Sequence, residues 1–312
     1  QGDWSSDVCS SDLTSLQKNI FQLDRLIPEW LHLSPEADGE IVVDNLNQQN
    51  KTLAYIHESR PTLPIVPLIN NFDSQKHTFD GIKLGKLLAD ATARQNLIDN
   101  LLDFVRENNF AGIHIDFENI PPESQSNLLI FMGELHKEFH SKGLEVSQSL
   151  PLENPDFDYR KFAAVNDYLI FMAYDEHSSV SAPGPIASQK WYTDSLRKRL
   201  AEVPADKFVV ALGNYGYDWK ENTIPATPVT FQDAMELAKE SESKVHLDPQ
   251  SLNETFDYYD EKDKLHNVWF LDAITAFNQV VVGQREGVRG FALWRMGAED
   301  PSTWKVLEQR MN

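Results

Sequence analysis

Residues 111–120 read Ala-Gly-Ile-His-Ile-Asp-Phe-Glu-Asn-Ile, and apolar and polar side chains alternate along this stretch. Such alternation predicts a β-strand, in which successive side chains point to opposite faces. His114, Asp116 and Glu118 therefore share one face of the predicted strand, and the opposite face is apolar. Two prolines follow directly, so both carboxylates are expected at the carboxyl end of the strand.

Strand-like and helix-like segments alternate along the rest of the chain. The predicted strands cover residues 29–35, 63–72, 111–120, 144–151, 167–175, 208–219 and 290–297. The predicted helices cover residues 15–27, 94–108, 123–141, 231–241, 272–285 and 304–310. This alternation predicts an α/β fold with a parallel sheet closed into a barrel. In such barrels the catalytic residues lie at the carboxyl ends of the strands.

Composition limits the function classes. The 312 residues, 41% of them hydrophobic, suffice for one barrel core, which typically needs about 250 residues. The 48 acidic and 28 basic residues give a net charge of −20, which disfavours nucleic acid and anionic lipid as partners and is compatible with a neutral glycan. No apolar run approaches the ~18 residues of a membrane helix, and no signal peptide is visible. The chain is therefore expected to be either a fragment of an exported protein or a cytosolic protein.

The stretch at 111–118 resembles the signature strand of glycoside hydrolase family 18, the chitinase-like family, whose pattern is Asp-Gly-x-Asp-x-Asp-x-Glu. Asp116 and Glu118 match the last two acidic positions, whereas Ala111 and His114 stand where the family has Asp. Within the family the chain is similar to spore-germination peptidoglycan N-acetylglucosaminidases. It is also similar to the family 18 module of bacterial deacetylase/glycosyltransferase fusion proteins.

Four later segments also resemble segments of family 18, and they follow one another along the chain in the same order as in the family. They are Tyr-Leu-Ile-Phe-Met-Ala-Tyr-Asp (168–175), Leu-Gly-Asn-Tyr-Gly-Tyr-Asp-Trp (212–219), Val-Trp-Phe-Leu-Asp-Ala (268–273) and Gly-Phe-Ala-Leu-Trp-Arg (290–295). The resemblance implies a (β/α)8 TIM barrel with a small insertion after strand 7, at 219–266, that walls the cleft. The chain offers seven predicted strands, and the missing one is the first, which should precede Ser15.

The resemblance also implies roles for the acids. Asp116 and Glu118 lie on the same side of one predicted strand, so they cannot flank a glycosidic bond as the usual pair of carboxylates does. In family 18 the substrate's 2-acetamido oxygen attacks the anomeric carbon. Glu118 would then act as acid and base, and Asp116 would orient the acetamide. Tyr174 and Asp175 would hold the acetamido group. Two neighbouring acids are expected to raise one pKa.

Other candidates are expected to contact substrate. Trp294 would floor the central sugar subsite, although a core aromatic residue is the alternative. His114 could hydrogen-bond Asp116, or could simply fill the barrel interior. The remaining substrate-binding candidates are Asn70, Asn71, Asn214, Tyr215 and His177. No metal ligands are expected, because no second histidine has a setting comparable to that of His114, and no cofactor motif is present.

Residues 1–13 differ from the rest of the chain, because they repeat Ser-Ser-Asp and contain the single cysteine, Cys9. We interpret them as a non-native segment, with a genuine disordered terminus as the alternative. A single cysteine allows no disulfide within the chain. Residues 14–312 are expected to form the catalytic barrel.

The expected activity is retaining, substrate-assisted hydrolysis of β-linked N-acetylglucosamine glycans, either peptidoglycan or a surface polysaccharide. One alternative is a non-catalytic, lectin-like barrel, which the retained Glu118 disfavours. Another is a polymer-editing module of a polysaccharide-synthesis fusion protein, in which the chain would be part of a larger multidomain protein. The resemblance favours an extracytoplasmic location.

Overall fold

The computed structural model describes residues 9–36 and 38–311. The helices are α1 (Cys9–Asn19), α2 (Leu46–Ser59), α3 (Gly81–Ala89), α4 (Ala91–Glu107), α5 (Gln125–His140), α6 (Tyr159–Ala164), α7 (Gln189–Leu200), α8 (Phe231–Glu240), α9 (Ala273–Glu286) and α10 (Thr303–Met311). Short 3-10 helices cover Ile20–Gln22, Pro122–Ser124 and Ala205–Lys207.

The strands are β1 (Glu29–Leu33), β2 (Ile41–Val43), β3 (Leu68–Asn70), β4 (Phe72–Asp73), β5 (Thr78–Phe79), β6 (Gly112–Asp116), β7 (Glu145–Pro151), β8 (Tyr168–Met172), β9 (Phe208–Gly213), β10 (Gly216–Lys220), β11 (Thr227–Val229), β12 (His246–Leu247), β13 (Glu254–Tyr259), β14 (Leu265–Phe270) and β15 (Gly290–Trp294). Strands and helices alternate as predicted.

The chain divides into two compact units. The first unit contains residues 23–170 and 202–207, and the second contains residues 9–22, 171–201 and 208–311. In the first unit the sheet order is β8-β7-β6-β3-β1-β2. The pairs β1–β3, β3–β6 and β6–β7 are parallel, and β2 is antiparallel to β1. In the second unit the order is β15-β9-β8, with β9 and β15 parallel. Strand β8 contains the boundary.

Helix α4 of the first unit buries one apolar stripe. In α4 the stripe consists of Leu97, Ile98, Leu101, Leu102 and Val105, which recur at the spacing of an amphipathic helix. Asp90 begins this helix, because its carboxylate accepts hydrogen bonds from the first free backbone N–H groups, those of Thr92 and Ala93.

All seven predicted strands are present, as β1, β3, β6, β7, β8, β9 and β15, but most are shorter than predicted. The signature strand ends at Asp116, so the prediction that Glu118 lies on it is wrong. The predicted strand 208–219 is also wrong as one element, because the chain leaves β9 after Gly213 and begins β10 at Gly216.

The predicted non-native segment lies partly outside the described residues, which begin at Cys9. Residues 9–13 belong to α1. The eighth strand of the sheet is β2, which follows β1 as its antiparallel hairpin partner. Strand β2 is therefore not the missing first strand of the barrel, which was expected before Ser15. No helix of the described residues is long and apolar enough to cross a membrane.

Residues 216–270 form a separate antiparallel sheet in the second unit, with order β11-β10-β14-β13-β12. This sheet covers the range predicted for the insertion, 219–266, and extends a few residues beyond it at each end, while the wall that the insertion would form beside the cleft stays a prediction. Strands β13 and β14 of this sheet form a hairpin, with Phe256 opposite Val268. The predicted helix 231–241 is α8, which begins with a capping box between Thr230 and Asp233.

Candidate active site

Asp116 is the last residue of β6, and only 8% of it is exposed. Its Oδ1 atom accepts no hydrogen bond from any residue that the structure describes. The pKa of Asp116 is raised to about 7, chiefly by burial and then by the charge of Glu29, while a hydrogen bond from Ser149 acts in the opposite direction. The carboxyl group is therefore half-protonated near neutral pH.

Glu29 is a residue that the sequence analysis missed. It begins β1, and its carboxylate accepts a hydrogen bond from Asn70 Nδ2 at 2.7 Å. Asn70 in turn lies beside Asp116 in the β3–β6 pairing. We expected Asp116 and Glu118, as neighbours, to raise the pKa of one of the two, and the acid whose charge raises the pKa of Asp116 is Glu29. Strand pairing brings the carboxylates of Glu29 and Asp116 together, and no local sequence motif predicts this proximity.

His114 is fully buried, and both of its ring nitrogens are hydrogen-bonded. Nδ1 lies 2.8 Å from Ser147 Oγ, and Nε2 lies 2.8 Å from Ser149 Oγ. Burial lowers the pKa of His114 to about 3, so the ring is neutral. Ser149 has one hydroxyl hydrogen, which it donates to Asp116. We therefore assign the ring proton to Nε2, where it is donated to Ser149, while Nδ1 accepts from Ser147.

This arrangement changes the role expected for His114. The histidine reaches Asp116 through Ser149 and forms no hydrogen bond of its own with Asp116 among those resolved. Because the ring is neutral, it cannot lower the pKa of Asp116 by its charge. What it supplies is a fixed donor behind the Ser149 hydroxyl, and this keeps that hydroxyl pointed at the carboxylate.

Glu118 lies two residues beyond the end of β6, and its backbone is held by one side chain. Its N–H donates to Asn71 Oδ1 at 2.8 Å, and Asn71 Nδ2 donates to the Glu118 carbonyl oxygen at 2.9 Å. Asn119 then adopts a left-handed conformation with φ 54°, which turns the chain away. In this structure the amide of Asn71 is used to fix Glu118, although we expected it to contact substrate.

In the second unit, Asp175 follows β8 and has a left-handed φ of 61°. Its Oδ1 accepts hydrogen bonds from Tyr215 Oη at 2.5 Å and Tyr217 Oη at 3.1 Å. The residue as a whole is exposed, but crowding of the carboxyl group by protein atoms raises its pKa, while the two hydroxyls act in the opposite direction. Both tyrosines come from the loop and strand that follow β9.

Aromatic rings continue from this aspartate along β10. Tyr174 meets Tyr215 edge to face at 5.7 Å, Tyr215 meets Tyr217 at 5.5 Å, and Tyr217 meets Trp219 at 5.4 Å. Trp219 is buried and donates to the Ser181 carbonyl oxygen, so its contacts are those of a packing residue. Trp294 is partly buried and packs against the same cluster.

Asn214 and His177 differ in whether a side-chain nitrogen is already used in a hydrogen bond within the described chain. The side chain of Asn214 is buried, and its Nδ2 donates to no residue of the described chain. Its backbone N–H donates to the Trp294 carbonyl oxygen at 2.7 Å. By contrast, His177 Nδ1 lies 3.1 Å from the Ala182 carbonyl oxygen, so this ring holds its own loop together.

Apart from His114 and His177, the candidates lie at or just after the carboxyl ends of sheet strands. Asn70 ends β3 and Asn71 follows it, Asp116 ends β6 and Glu118 lies two residues beyond, Tyr174 and Asp175 follow β8, Asn214 and Tyr215 follow β9, and Trp294 ends β15. Parallel α/β sheets bind their substrates at these ends. Within the described part of the chain, no set of three metal-ligating side chains includes any of these candidates.

Comparison with known proteins gives a consistent picture. Residues 4–299 match the model of the family described as Glycosyl hydrolases family 18. The "Uncharacterized glycosylase YvbX" of Bacillus subtilis is 25% identical over 88% of this chain and 81% of that protein. The "Cortical fragment-lytic enzyme" of Bacillus subtilis is 28% identical over 89% of this chain. The chain spans only 66% of the length of that enzyme.

Solved structures show the same fold. A chitinase from Chromobacterium violaceum superposes with a TM-score of 0.88 at 23% identity, over 97% of this chain and 96% of that one. The spore cortex-lytic enzyme SleL of Bacillus megaterium gives a TM-score of 0.84 at 21% identity, over 96% of this chain and 70% of that one. The predicted (β/α)8 TIM-barrel fold is thereby confirmed.

Proposed function

Because the chain belongs to glycoside hydrolase family 18, we propose that it cleaves β-linked N-acetylglucosamine glycans with retention, using the substrate's acetamido group as the nucleophile. The chain is a glycoside hydrolase, and a glycan is its substrate. The mechanism, the polymer and the residue roles that follow are proposals.

The observation that carries the proposal is the state of Asp116. A retaining glycosidase of the common type needs an ionised carboxylate as nucleophile, about 5 Å across the bond from the acid. Asp116 is buried, has a pKa of about 7 and is held by Ser149. A half-protonated, buried carboxyl group is a poor nucleophile and a good hydrogen-bond partner, so it suits a role in orienting the substrate's acetamide.

In the proposed reaction Glu118 donates its proton to the glycosidic oxygen as that bond to the anomeric carbon breaks. The acetamido oxygen forms a new bond to the same carbon, giving a cyclic oxazolinium ion, while Asp116 accepts a hydrogen bond from the acetamide N–H. Glu118, now a carboxylate, takes a proton from water, which attacks the anomeric carbon and reopens the ring. Two inversions give net retention, and Glu118 is reprotonated.

Roles of the second-unit residues are proposed from their own surroundings. Tyr174 and Asp175 would bind the acetamido group, as the family resemblance implies. Trp294 would stack against a sugar ring, because it is not fully buried and pyranose C–H groups pack well on an aromatic face. The free amide of Asn214 would donate to a sugar oxygen. His177 is the weakest candidate, because its ring nitrogen is already used within its loop.

For the polymer, we propose peptidoglycan fragments or a related surface polysaccharide. The support is the similarity to a cortical fragment-lytic enzyme and to a spore cortex-lytic enzyme. An extracytoplasmic site of action would follow from such a substrate.

Mass-spectrometric analysis of products from N-acetylglucosamine oligomers and muropeptides tests the proposal. The wild type should cleave at least one class, Glu118→Gln should lose turnover by at least about 100-fold while still binding the glycan, and Glu123→Gln, an exposed neighbour, should behave as wild type. Binding without cleavage by all three proteins would favour a lectin. Full activity in Glu118→Gln would overturn the mechanism.

A further inference from the structure

A second cluster of titratable side chains lies in the first unit, away from the strand ends described above. His136 and His140 lie one turn apart on α5, and their rings stack with centroids 5.2 Å apart. Asp167 immediately precedes β8, and its Oδ1 lies 3.6 Å from His136 Nε2 and 3.9 Å from His140 Nδ1. One oxygen and two imidazole nitrogens thus converge within 4.8 Å of one another.

The aspartate is already oriented for this geometry. Its Oδ2 accepts a hydrogen bond from the Val146 N–H at 2.8 Å, and its own N–H donates to the Val146 carbonyl oxygen at 2.9 Å. These bonds fix the carboxylate and direct Oδ1 toward the two rings. Histidines four residues apart on one helix are a common chelating pair for transition metals.

We propose that His136, His140 and Asp167 form a site for a divalent transition metal ion, with Zn²⁺ as the best-suited ion and solvent completing the coordination. Two imidazoles and one carboxylate suit Zn²⁺, whereas Mg²⁺ and Ca²⁺ prefer oxygen ligands only. Tetrahedral zinc with ligand bonds of about 2.0–2.1 Å places its ligands about 3.3 Å apart. The present separations are slightly larger, and the His140 side chain, 70% exposed, is free to rotate inward.

The position of the cluster assigns it a structural role. Asp167 is tied to Val146 at the start of β7, whereas Ser149, which contacts His114, lies three residues further along the same strand, roughly 10 Å away at about 3.3 Å per residue. The metal would therefore sit near the amino ends of the strands and link the end of α5 to the entry of β8. Side chains at that end of a barrel contribute to stability and not to chemistry.

Zinc titration of the tag-free chain, residues 1–312, tests the proposal, by calorimetry and by thermal unfolding with and without Zn²⁺. The wild type should bind one Zn²⁺ and unfold at higher temperature when loaded. His140→Ala and His136→Ala should each weaken binding at least tenfold and remove the thermal shift. His57→Ala, an exposed histidine on α2, should change neither.

Two further variants keep the test decisive. Asp167→Asn retains an oxygen for the Val146 N–H and removes the charge, so it should fold and bind Zn²⁺ more weakly. Cys9→Ser should leave binding unchanged. If no Zn²⁺ binds, or if binding survives the loss of either cluster histidine, the three residues only connect the helix to the strand and the proposal is wrong. Glycan cleavage should be the same with and without Zn²⁺.

Discussion

His114 stands two residues before Asp116, at a position where the family has an acid, and its influence passes through Ser149. A buried aspartate in that position would add a second charge to the site. The neutral histidine adds none, so the pKa of Asp116 is set by burial and by Glu29, with Ser149 as the opposing hydrogen bond. Replacing the acid by a histidine therefore changes the titration of the site while keeping a donor behind Asp116.

The titration of Asp116 makes stability depend on pH in a definite direction. Its pKa is about 7 in the folded protein against an ordinary value of 3.8, so the folded state holds the proton more tightly than the unfolded state. Proton binding by Asp116 makes its full contribution to the free energy of unfolding below about pH 4. This contribution, roughly 4 kcal/mol at 1.36 kcal/mol per pKa unit, is lost as pH rises to about 7.

Asp116→Asn removes this dependence. We expect the variant to gain stability over the wild type as pH rises from about 4 to about 7, with a constant difference above that range. Denaturant unfolding at several pH values measures it, and Asp103→Asn on the exposed face of α4 is the control. Parallel wild-type and Asp116→Asn curves would contradict the assigned pKa.

Ser147 and Ser149 provide a matched pair of variants, because each bonds one nitrogen of His114 but only Ser149 bonds Asp116. Ser149→Ala should raise the pKa of Asp116 by about half a unit to one unit, the equivalent of one hydrogen bond. Ser147→Ala should leave it unchanged. NMR titration of the Asp116 carboxyl resonance measures this pKa in both variants. Equal pKa shifts in the two variants would exclude the proposal that His114 acts on Asp116 through Ser149.

Between elements, two hydrogen bonds connect the end of β3 to the loop after β6, through Asn71 and the backbone of Glu118. Asn71→Ala leaves the Glu118 N–H and carbonyl without this partner. We expect a loss of about 1–3 kcal/mol in the free energy of unfolding and a fall in kcat of about 10-fold or more with KM little changed, because the acid is misplaced.

Steady-state kinetics and denaturant unfolding measure both effects of Asn71→Ala. Asn47→Ala, exposed on α2, is the control and should match the wild type. A rise in KM with kcat unchanged would instead identify Asn71 as a substrate contact, which is the role that the sequence analysis expected.

Sequence periodicity predicted which elements exist, and it could not predict where they end. Alternation of apolar and polar residues continues through Glu118, yet β6 ends at Asp116 because β3 offers it no partner beyond Asn70. The apolar run at 208–219 reads as one strand, and the chain divides it between two sheets. Glu29 and Ser149 were missed for the same reason, because their place beside Asp116 depends on which strands pair and in which register. The cluster on α5 was missed because residues 136 and 167 meet only in the fold.

For the whole molecule, the net charge of −20 is a dominant long-range feature. A neutral N-acetylglucosamine oligomer is not steered by this field, whereas a muropeptide carrying carboxylates is repelled. Raising the salt concentration from about 20 to about 200 mM should therefore leave kcat/KM for the neutral oligomer within about twofold and raise it for the muropeptide, because the screening length becomes shorter. Identical salt dependence for the two substrates would show that the field does not reach the site.

The central claim is that the substrate's own acetamido group is the nucleophile and Glu118 the acid. The most direct test compares cleavage of an N-acetylglucosamine oligomer with that of the same oligomer after N-deacetylation, at matched concentration and with binding measured for each. The account predicts cleavage of the acetylated oligomer alone, with the deacetylated one left intact even where it is bound. Comparable cleavage of both would show that an enzyme carboxylate performs the attack, and the role assigned to Asp116 would then be wrong.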